Sequence, residues 1–204
     1  MVELSHIGEG LICTLLNKNV AMQAILKEIS GVDIEFSIAI PELRLNPCAD
    51  LIFDGVHKVD ISILDLKSMR CFPIEAKLGL DRLSKNEFTK RFTQTCTTSH
   101  SGRRIAGSMI SILDRKLPSQ CVGEPLSVTY QDQEFTLSKE WGLISRQRVQ
   151  ANWHQHGYPT LTKYCKHLCF EELVSTCCSK TEFNELVGQL LTIDYYECWV
   201  NDKK

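Results

Sequence analysis

The sequence lacks a long apolar run: no stretch of the 204 residues is long and apolar enough to span a bilayer. It also lacks an excess of one charge, because 23 lysines and arginines stand against 25 acids. The net charge of −2 gives no whole-molecule attraction to nucleic acid or to a membrane surface. Residues 1–6 have neither the basic flank nor the apolar core of a secretory signal peptide. We therefore expect a cytoplasmic globular protein without a membrane partner.

Nucleotide and zinc motifs are also missing. The chain has no Walker-type or dinucleotide-type glycine loop, so we expect no nucleotide cofactor. It has ten cysteines but no Cys-x-x-Cys pair. In a reducing compartment such cysteines are typically small apolar core residues. A structural zinc site in the Cys- and His-rich segment 154–178 is the alternative, with Cys165 and Cys169 one turn apart on a predicted helix.

Apolar periodicity predicts a mixed α/β chain. Helices are expected over 9–30, 80–95, 160–177 and 181–192, the first ending at Gly31 and the last beginning with a Ser179–Glu182 capping box. Strands are expected over 33–40, over a three-stranded meander at 49–53, 60–66 and 71–77, at 105–113, and as a hairpin over 126–137. Residues 41–47 are predicted to form a loop.

The residues that point to chemistry lie on the last two strands of the predicted meander. Side chains alternate along a strand, so Glu75 and Lys77 share one face and Ala76 points away. If 60–66 and 71–77 pair as a hairpin, Asp60 lies nearly opposite Lys77 on that same face. Two carboxylates and an amine would then converge at one end of a small sheet.

A cluster of like charges needs compensation, and a divalent cation supplies it. Oxygen ligands without a nearby histidine suit Mg²⁺ or Mn²⁺ better than zinc. Such an ion, held by Asp60 and Glu75, would polarise a phosphoryl oxygen and acidify a bound water, while Lys77 orients that water. The competing interpretation is a solvated salt-bridge ladder on an exposed sheet face of an unrelated α/β domain.

The Asp60…Glu75-Ala76-Lys77 pattern, with a predicted helix after it, resembles the PD-(D/E)XK nuclease superfamily over about residues 9–113. The resemblance implies a restriction-endonuclease-like αβββαβ core with a mixed sheet over 1–118, followed by a mostly helical C-terminal elaboration over 119–204, unless the whole is one domain. It implies catalytic roles for Asp60, Glu75 and Lys77, and a metal ligand in the Ala76 carbonyl. It also suggests Glu9 of the first helix as a further acid, although Glu9 could equally be a helix-dipole charge.

Departures and competitors accompany this resemblance. Val59 stands where the family often has proline, and Pro73 interrupts the third strand. Asp50 could be the motif aspartate or a second metal ligand, and Asp65-Leu66-Lys67 is another Asp-x-Lys sequence. Glu75-Ala76-Lys77 is preferred because a predicted helix follows it directly.

Charge is distributed unevenly along the chain. Residues 77–116 carry nine lysines and arginines against three acids, a net of +6, whereas the rest has a net of −8. Such a basic segment beside the proposed site could hold phosphates, the alternative being a solvated helix face. The candidate nucleic-acid-binding residues are Arg82, Lys85, Lys90, Arg91, Arg103 and Arg104.

The function expected from the resemblance is metal-dependent hydrolysis of phosphodiester bonds in DNA or RNA, for example within a bacterial defence or restriction system. The main alternative is a catalytically inactive subunit of the same fold that serves in binding or assembly. The C-terminal third is rich in aromatic residues, and packing in the core is the simpler explanation for them. The more specific interpretation is a surface that binds a protein partner or a second copy of the chain, or a platform on which bases stack.

Overall fold

The computed structural model describes residues 4–32, 34–54, 57–77, 90–91, 93–99, 103–145 and 164–188. These residues form a mixed α/β structure with a seven-stranded mixed sheet and a separate three-stranded sheet. No helix among them is long and apolar enough to cross a membrane. The α/β class expected from the sequence is confirmed.

The first predicted helix is two helices, α1 (Leu4–Lys18) and α2 (Val20–Ser30). The break falls at Asn19, whose backbone is extended and whose side chain accepts a hydrogen bond from the Met22 N–H at 3.0 Å. Asparagine is a favoured helix N-cap for this reason. As predicted, Gly31 ends α2, with the left-handed φ of 66° that glycine adopts without a steric penalty.

Three strands follow in antiparallel order in the large sheet: β1 (Ser37–Arg44), β3 (Lys58–Asp65) and β4 (Arg70–Lys77). The first strand of the meander is therefore β1, and the prediction of 49–53 in that place is wrong. The predicted loop at 41–47 is wrong for its first four residues, because Pro41 lies within β1. β1 ends the strand order of the sheet, where a proline can face away from the ladder.

Residues 49–53 contribute instead to the small sheet, which contains β2 (Ile52–Phe53), β5 (Thr97–Thr98) and β6 (Arg104–Ala106). The predicted strand at 105–113 is also wrong, because β6 ends at Ala106 and a short helix, α3 (Met109–Leu113), follows. Ser108 caps that helix by accepting from the Ser111 N–H at 3.1 Å. Every residue of α3 is buried, so its apolar run carries no helical periodicity.

The remaining strands of the large sheet lie after residue 118: β7 (Ser127–Tyr130), β8 (Gln133–Leu137), β9 (Trp141–Ser145) and β10 (Cys165–Cys169). β7 and β8 form the predicted hairpin, β9 runs parallel to β4, and β10 runs parallel to β9. The sheet thus crosses the expected boundary at 118–119. The described C-terminal part is not mostly helical, since it supplies four strands.

Two helical segments follow β10, namely α4 (Phe170–Cys177) and α5 (180–188). The helix predicted over 160–177 is therefore wrong at 165–169, which form β10. The predicted capping box is confirmed, because Ser179 N–H donates to Glu182 at 2.7 Å and Glu182 N–H donates to Ser179 Oγ at 3.3 Å. Of the helix expected over 80–95, residues 90, 91 and 93 are helical, and 78–89 lie outside the described residues.

Pro73 occupies a gap in the hydrogen-bond ladder of β4. β8 pairs with β4 at residues 70–71, and β9 pairs with it at 74–77. Pro73 therefore lies between the segments of β4 that pair with β8 and with β9, where the missing N–H leaves no carbonyl of either strand without a donor. This explains how proline is accommodated in a strand with partners on both sides.

Two apolar clusters sandwich the sheet. One joins α1, α2 and α4 to the sheet face that carries Ile61, Ile74 and Ala76. The other lies on the opposite face and includes Leu64, Cys71 and Leu143. By strand alternation, Glu75 and Lys77 belong to this second face, away from α1.

Gly142 of β9 lies in close contact with side chains of β4. A Cβ at this position would lie 3.0 Å from Ile74 Cγ1 and 3.2 Å from Phe72 Cε1. We expect Gly142→Val to lower the free energy of unfolding by about 2 kcal/mol, because the extra methyl groups overpack this layer. Urea unfolding measures the change. The matched control is Gly188→Ala, at a glycine whose Cβ would meet nothing within 4 Å. An unchanged midpoint for Gly142→Val would contradict this packing.

Candidate functional site

Asp60, Glu75 and Lys77 line one cleft of about 380 Å³. The cleft lies at the end of the hairpin formed by β3 and β4. Its remaining walls come from the start of β3, from Arg91 and Gln94, and from the beginning of α3; they are His57, Lys58, Arg91, Gln94, Gly107, Ser108, Met109 and Ile110. The structure thus brings together the three residues that carry the sequence motif.

The register of the hairpin differs slightly from expectation. Ile61 pairs with Ile74, which places Asp60 beside Glu75 rather than opposite Lys77. The Ala76 N–H donates to the Asp60 side chain rather than to a main-chain carbonyl of β3, with Asp60 Oδ2 as the acceptor at 2.8 Å. The carboxylate is thereby fixed against β4 and still reaches Lys77.

The Lys77 ammonium lies among three oxygens. Its Nζ is 3.0 Å from Asp60 Oδ2, 3.3 Å from Glu75 Oε1 and 3.1 Å from the Ala76 carbonyl oxygen. These are the three oxygens that the sequence pattern assigned to a cation. In this conformation a cationic side-chain group, the ammonium, satisfies them.

The site is largely buried, which strengthens the interactions between its charged groups. The side chains of Glu75, Lys77 and Asp60 are 4%, 18% and 22% exposed. An exposed ladder of ion pairs, the competing interpretation, does not match this burial. Charges in such surroundings interact far more strongly than at a solvated surface.

The proton balance of the cluster follows from this burial. Burial, then the charge of Asp60, raises the pKa of Glu75 well above its ordinary value. Burial also opposes ionisation of Asp60, but a hydrogen bond from Glu75 and the charge of Lys77 lower the pKa of Asp60 overall. Burial opposes the charge of Lys77, yet Glu75 and Asp60 together raise its pKa. Within the cluster a proton is therefore favoured on Glu75 rather than on Asp60, and Lys77 is favoured in its charged form.

The donor set fits a hard divalent cation. Two carboxylates and one main-chain carbonyl already converge on a single point, and Mg²⁺ typically combines one or two carboxylates with waters. Among the described residues, no group of three or more His, Cys, Asp or Glu side chains is arranged to hold a metal. Any ion here would thus depend on these two acids, on the Ala76 carbonyl and on water, and Lys77 would move aside.

Two other acids from the sequence analysis do not line the cleft. Asp50 lies on an exposed turn that is closed by hydrogen bonds between Cys48 and Leu51. Glu9 is 9% exposed within α1, which packs on the opposite face of the sheet, and burial, then the charge of Glu9, raises the pKa of Cys13. Neither acid is among the described residues that line the cleft.

The competing Asp65-Leu66-Lys67 sequence has a structural role. Asp65 Oδ1 accepts the N–H groups of Lys67 at 2.9 Å and Ser68 at 3.1 Å, and Oδ2 accepts the Ser68 hydroxyl at 2.5 Å. Lys67 lies over the Phe36 ring at 5.3 Å. Asp65 thus closes the turn between β3 and β4, at the end of the hairpin away from the cleft.

The predicted nucleic-acid-binding residues divide into three groups. Arg91 lines the cleft. Lys90, Arg103 and Arg104 are exposed but do not line it. Arg82 and Lys85 lie outside the described residues.

Sequence reasoning missed His57 and the serines that hold the far wall. His57 is 3% exposed, and its Nε2 donates to the Gly107 carbonyl at 2.8 Å, which joins β3 to that wall. Ser108 Oγ and Ser111 Oγ donate to the Arg91 carbonyl at 2.6 and 2.9 Å. His57 precedes Asp60 by three residues, but only the fold reveals that it faces the same cleft.

The cysteines behave as packed thiols. The nine described cysteines are free, and six of them are buried. Burial raises the pKa of Cys13 and of Cys71 to about 12, so these thiols stay protonated. Cys165 and Cys169 lie at the two ends of a strand, and the expected helical face that would bring them together is wrong.

No protein-family model, curated protein or solved structure matches this chain. The function is therefore inferred from the geometry of the cleft itself.

Proposed function

We propose that this protein is a metal-dependent phosphodiesterase that hydrolyses nucleic acid in the Asp60–Glu75–Lys77 cleft. The observation that carries the proposal is the convergence of two carboxylates and the Ala76 carbonyl on one buried cationic group. Three oxygens directed at a single point, with waters to complete the shell, match the requirements of Mg²⁺ or Mn²⁺. The resemblance to PD-(D/E)XK nucleases assigns the same residues.

The order of elements supports the proposal. A helical layer precedes three antiparallel strands, and β9 then adds parallel to β4, beside Glu75 and Lys77. In the αβββαβ order that the resemblance implies, the helical layer and these three strands would be the first four elements, and β9 would take the place of the segment predicted at 105–113. The acids stand on the second and third strands of that order.

Each residue then has a defined task. Asp60, Glu75 and the Ala76 carbonyl would hold the cation, which would supply Lewis acidity and a more acidic bound water. To act as an ionised ligand, Glu75 would lose its proton to bulk water. Lys77, moved away from its three oxygens, would donate hydrogen bonds to the attacking water or to the phosphoryl oxygens, where negative charge develops.

The walls of the cleft provide contacts for the phosphate backbone. Lys58 and Arg91 both line it, and Lys58 is paired with Glu42 at 2.8 Å on an exposed surface. Exposed pairs of this kind are weak, so a phosphate can replace Glu42. The hydroxyl contacts from Ser108 and Ser111 fix the main chain at Arg91 beside the cleft.

A second candidate is a non-catalytic binding subunit of the same fold. One observation favours it: Lys77 already pairs with both acids, and the raised pKa of Glu75 favours a proton on that residue, so the cluster can balance its charge without a metal. In such a protein the basic residues would bind nucleic acid and the acids would serve only the fold. Nucleic-acid binding without metal-dependent cleavage distinguishes this candidate.

The test is a cleavage panel over single- and double-stranded DNA and RNA in Mg²⁺, Mn²⁺ or EDTA. We expect cleavage of at least one substrate with either metal and none in EDTA. Asp60→Asn is expected to reduce the rate by about 10²-fold or more, because it removes a ligand charge. Its matched control, Asp65→Asn, alters the hairpin turn and is expected to retain cleavage.

Equal rates for Asp60→Asn and the wild type would contradict the proposal. Binding of every substrate without cleavage of any would support the binding subunit.

A further inference from the structure

A second cavity of about 490 Å³ lies beyond the C-terminal end of α3. Its walls come from the chain after α3, from segment 121–125, from β8 and from Tyr164. The lining is mainly apolar and includes Leu117, Val122, Pro125 and Leu137. Its size lies within the range of sites for small organic molecules. None of its residues lines the Asp60–Glu75–Lys77 cleft.

Arg115 enters this cavity from a backbone conformation that arginine rarely adopts. Its φ is 61°, and it follows the last turn of α3 in the position where helices usually have glycine. The hydrogen bonds from Arg115 N–H to Ile112 and from Lys116 N–H to Ser111 complete that helix end. A non-glycine residue in this conformation is strained, and such strain is concentrated at functional positions.

Among the residues that the structure describes, the Arg115 guanidinium is paired with a carbonyl and not with an acid. It donates to the Ser138 carbonyl oxygen at 3.1 Å, and no ion pair joins it to a carboxylate of the described residues. Burial lowers the pKa of Arg115, which agrees with a cation that lacks a countercharge. A guanidinium has five donors, so most of them are available to a planar oxyanion.

The charges around the cavity specify the ligand further. Arg115 and Lys139 are positive and Glu124 is negative, which leaves one net positive charge in the lining. Glu124 accepts a hydrogen bond from the Cys48 thiol at 3.1 Å and so has a partner of its own. The site therefore suits a singly charged anion better than a phosphate dianion.

We propose that this cavity binds a small organic monocarboxylate, with its apolar body among Leu117, Val122 and Tyr164 and its carboxylate on Arg115. The inference is independent of the proposed nuclease activity. A carboxylate matches the two parallel donors of a guanidinium, and the apolar residues of the lining can contact the organic body of the ligand.

Isothermal titration calorimetry of the full chain tests this with naphthalene-2-carboxylate and its neutral analogue naphthalene-2-carboxamide. We expect the carboxylate to bind at least tenfold more tightly than the carboxamide. Arg115→Met should remove that preference, and Arg44→Met, at an exposed arginine outside the cavity, should preserve it. Thermal melts establish that both variants are folded.

A cavity-filling variant gives a second readout. Val122 is 69% exposed at the rim, so Val122→Trp should weaken the binding of both probes without disturbing the core. If the wild type binds neither probe at millimolar concentration, or if Arg115→Met binds the carboxylate as tightly as the wild type, the inference is wrong.

Discussion

Glu75→Gln is expected to reduce metal-dependent cleavage by about 10³-fold while the protein remains as stable as the wild type or becomes more stable. Glutamine preserves the shape of the side chain and still accepts a hydrogen bond from Lys77, which lies 3.3 Å from Glu75 Oε1. It cannot supply the negative charge that holds a divalent cation. Glu75 is therefore the residue that the proposed chemistry needs most, although its burial makes the ionised form of its side chain unfavourable for stability.

The pH dependence of stability follows from the raised pKa of Glu75. Burial and the charge of Asp60 make the folded state bind this proton more tightly than the unfolded state does. As the pH rises from the ordinary carboxylate range through the folded-state pKa, the unfolded state binds fewer protons and the free energy of unfolding falls. The glutamine side chain of the Glu75→Gln variant has no proton to lose, so the variant escapes this decline.

Thermal unfolding of both proteins between pH 4 and pH 8, in EDTA, measures the effect. The melting temperature of Glu75→Gln relative to the wild type should rise as the pH increases. Glu35→Gln is the control, because Glu35 is exposed and should change neither stability nor cleavage. Wild-type cleavage by Glu75→Gln would show that this carboxylate holds no catalytic metal.

The spacing of Glu75 and Lys77 predicted a shared face because alternation along a strand is a local property. The sequence pattern predicts less well which residue of β4 lies opposite Asp60, because the register of the hairpin is fixed by the turn at 66–69 and by packing on both faces. A shift of two residues along β4 separates the expected position of Asp60 from the observed one. The Asp60 carboxylate reaches Lys77 in either case, so the prediction of the cluster tolerated this error.

Pairing between segments that are distant in the chain accounts for the larger differences between the predicted and the observed secondary structure. β9 lies more than sixty residues after β4 in the chain, and nothing in the local pattern of 141–145 indicates which strand it joins. Likewise, the segments at 105–113 and 165–169 have no amphipathic period that separates strand from helix. Where the neighbours of a segment decide its structure, the sequence pattern is ambiguous.

His57 shows the same limit at the level of the site. A lone histidine is usually a packed core residue, and here it is 3% exposed. Its place in the cleft depends on Gly107, fifty residues later, whose carbonyl accepts from Nε2. Residues that meet through such distant contacts are recognisable only after the chain is folded.

Lys77→Met is expected to lower the free energy of unfolding by about 3 kcal/mol in EDTA, because it leaves a buried acid pair without its countercharge. Methionine keeps much of the length of the lysine stem, so lost packing contributes little. The ammonium contacts three oxygens at 3.0 to 3.3 Å, and no other cationic group is paired with Asp60 or Glu75 among the described residues. Its removal therefore leaves the Asp60 carboxylate without a countercharge in largely buried surroundings.

The same variant should respond strongly to divalent cations. If the three oxygens form a cation site, Mg²⁺ or Mn²⁺ takes the position of the missing ammonium and restores the lost stability. At a hundredfold excess over the dissociation constant, bound metal contributes about 2.7 kcal/mol. In the wild type the metal has to displace Lys77, so its stabilising effect should be smaller than in the variant.

Thermal melts in EDTA, Mg²⁺ and Mn²⁺ compare the wild type, Lys77→Met and Lys166→Met. Lys166 forms an exposed pair with Glu140 at 3.6 Å, so its loss should change stability by less than about 1 kcal/mol, with no dependence on metal. Destabilisation of Lys77→Met without rescue by either metal would assign the cluster to the fold alone. Rescue would show that the lysine occupies a position built for a cation, which is the physical basis of the proposed chemistry.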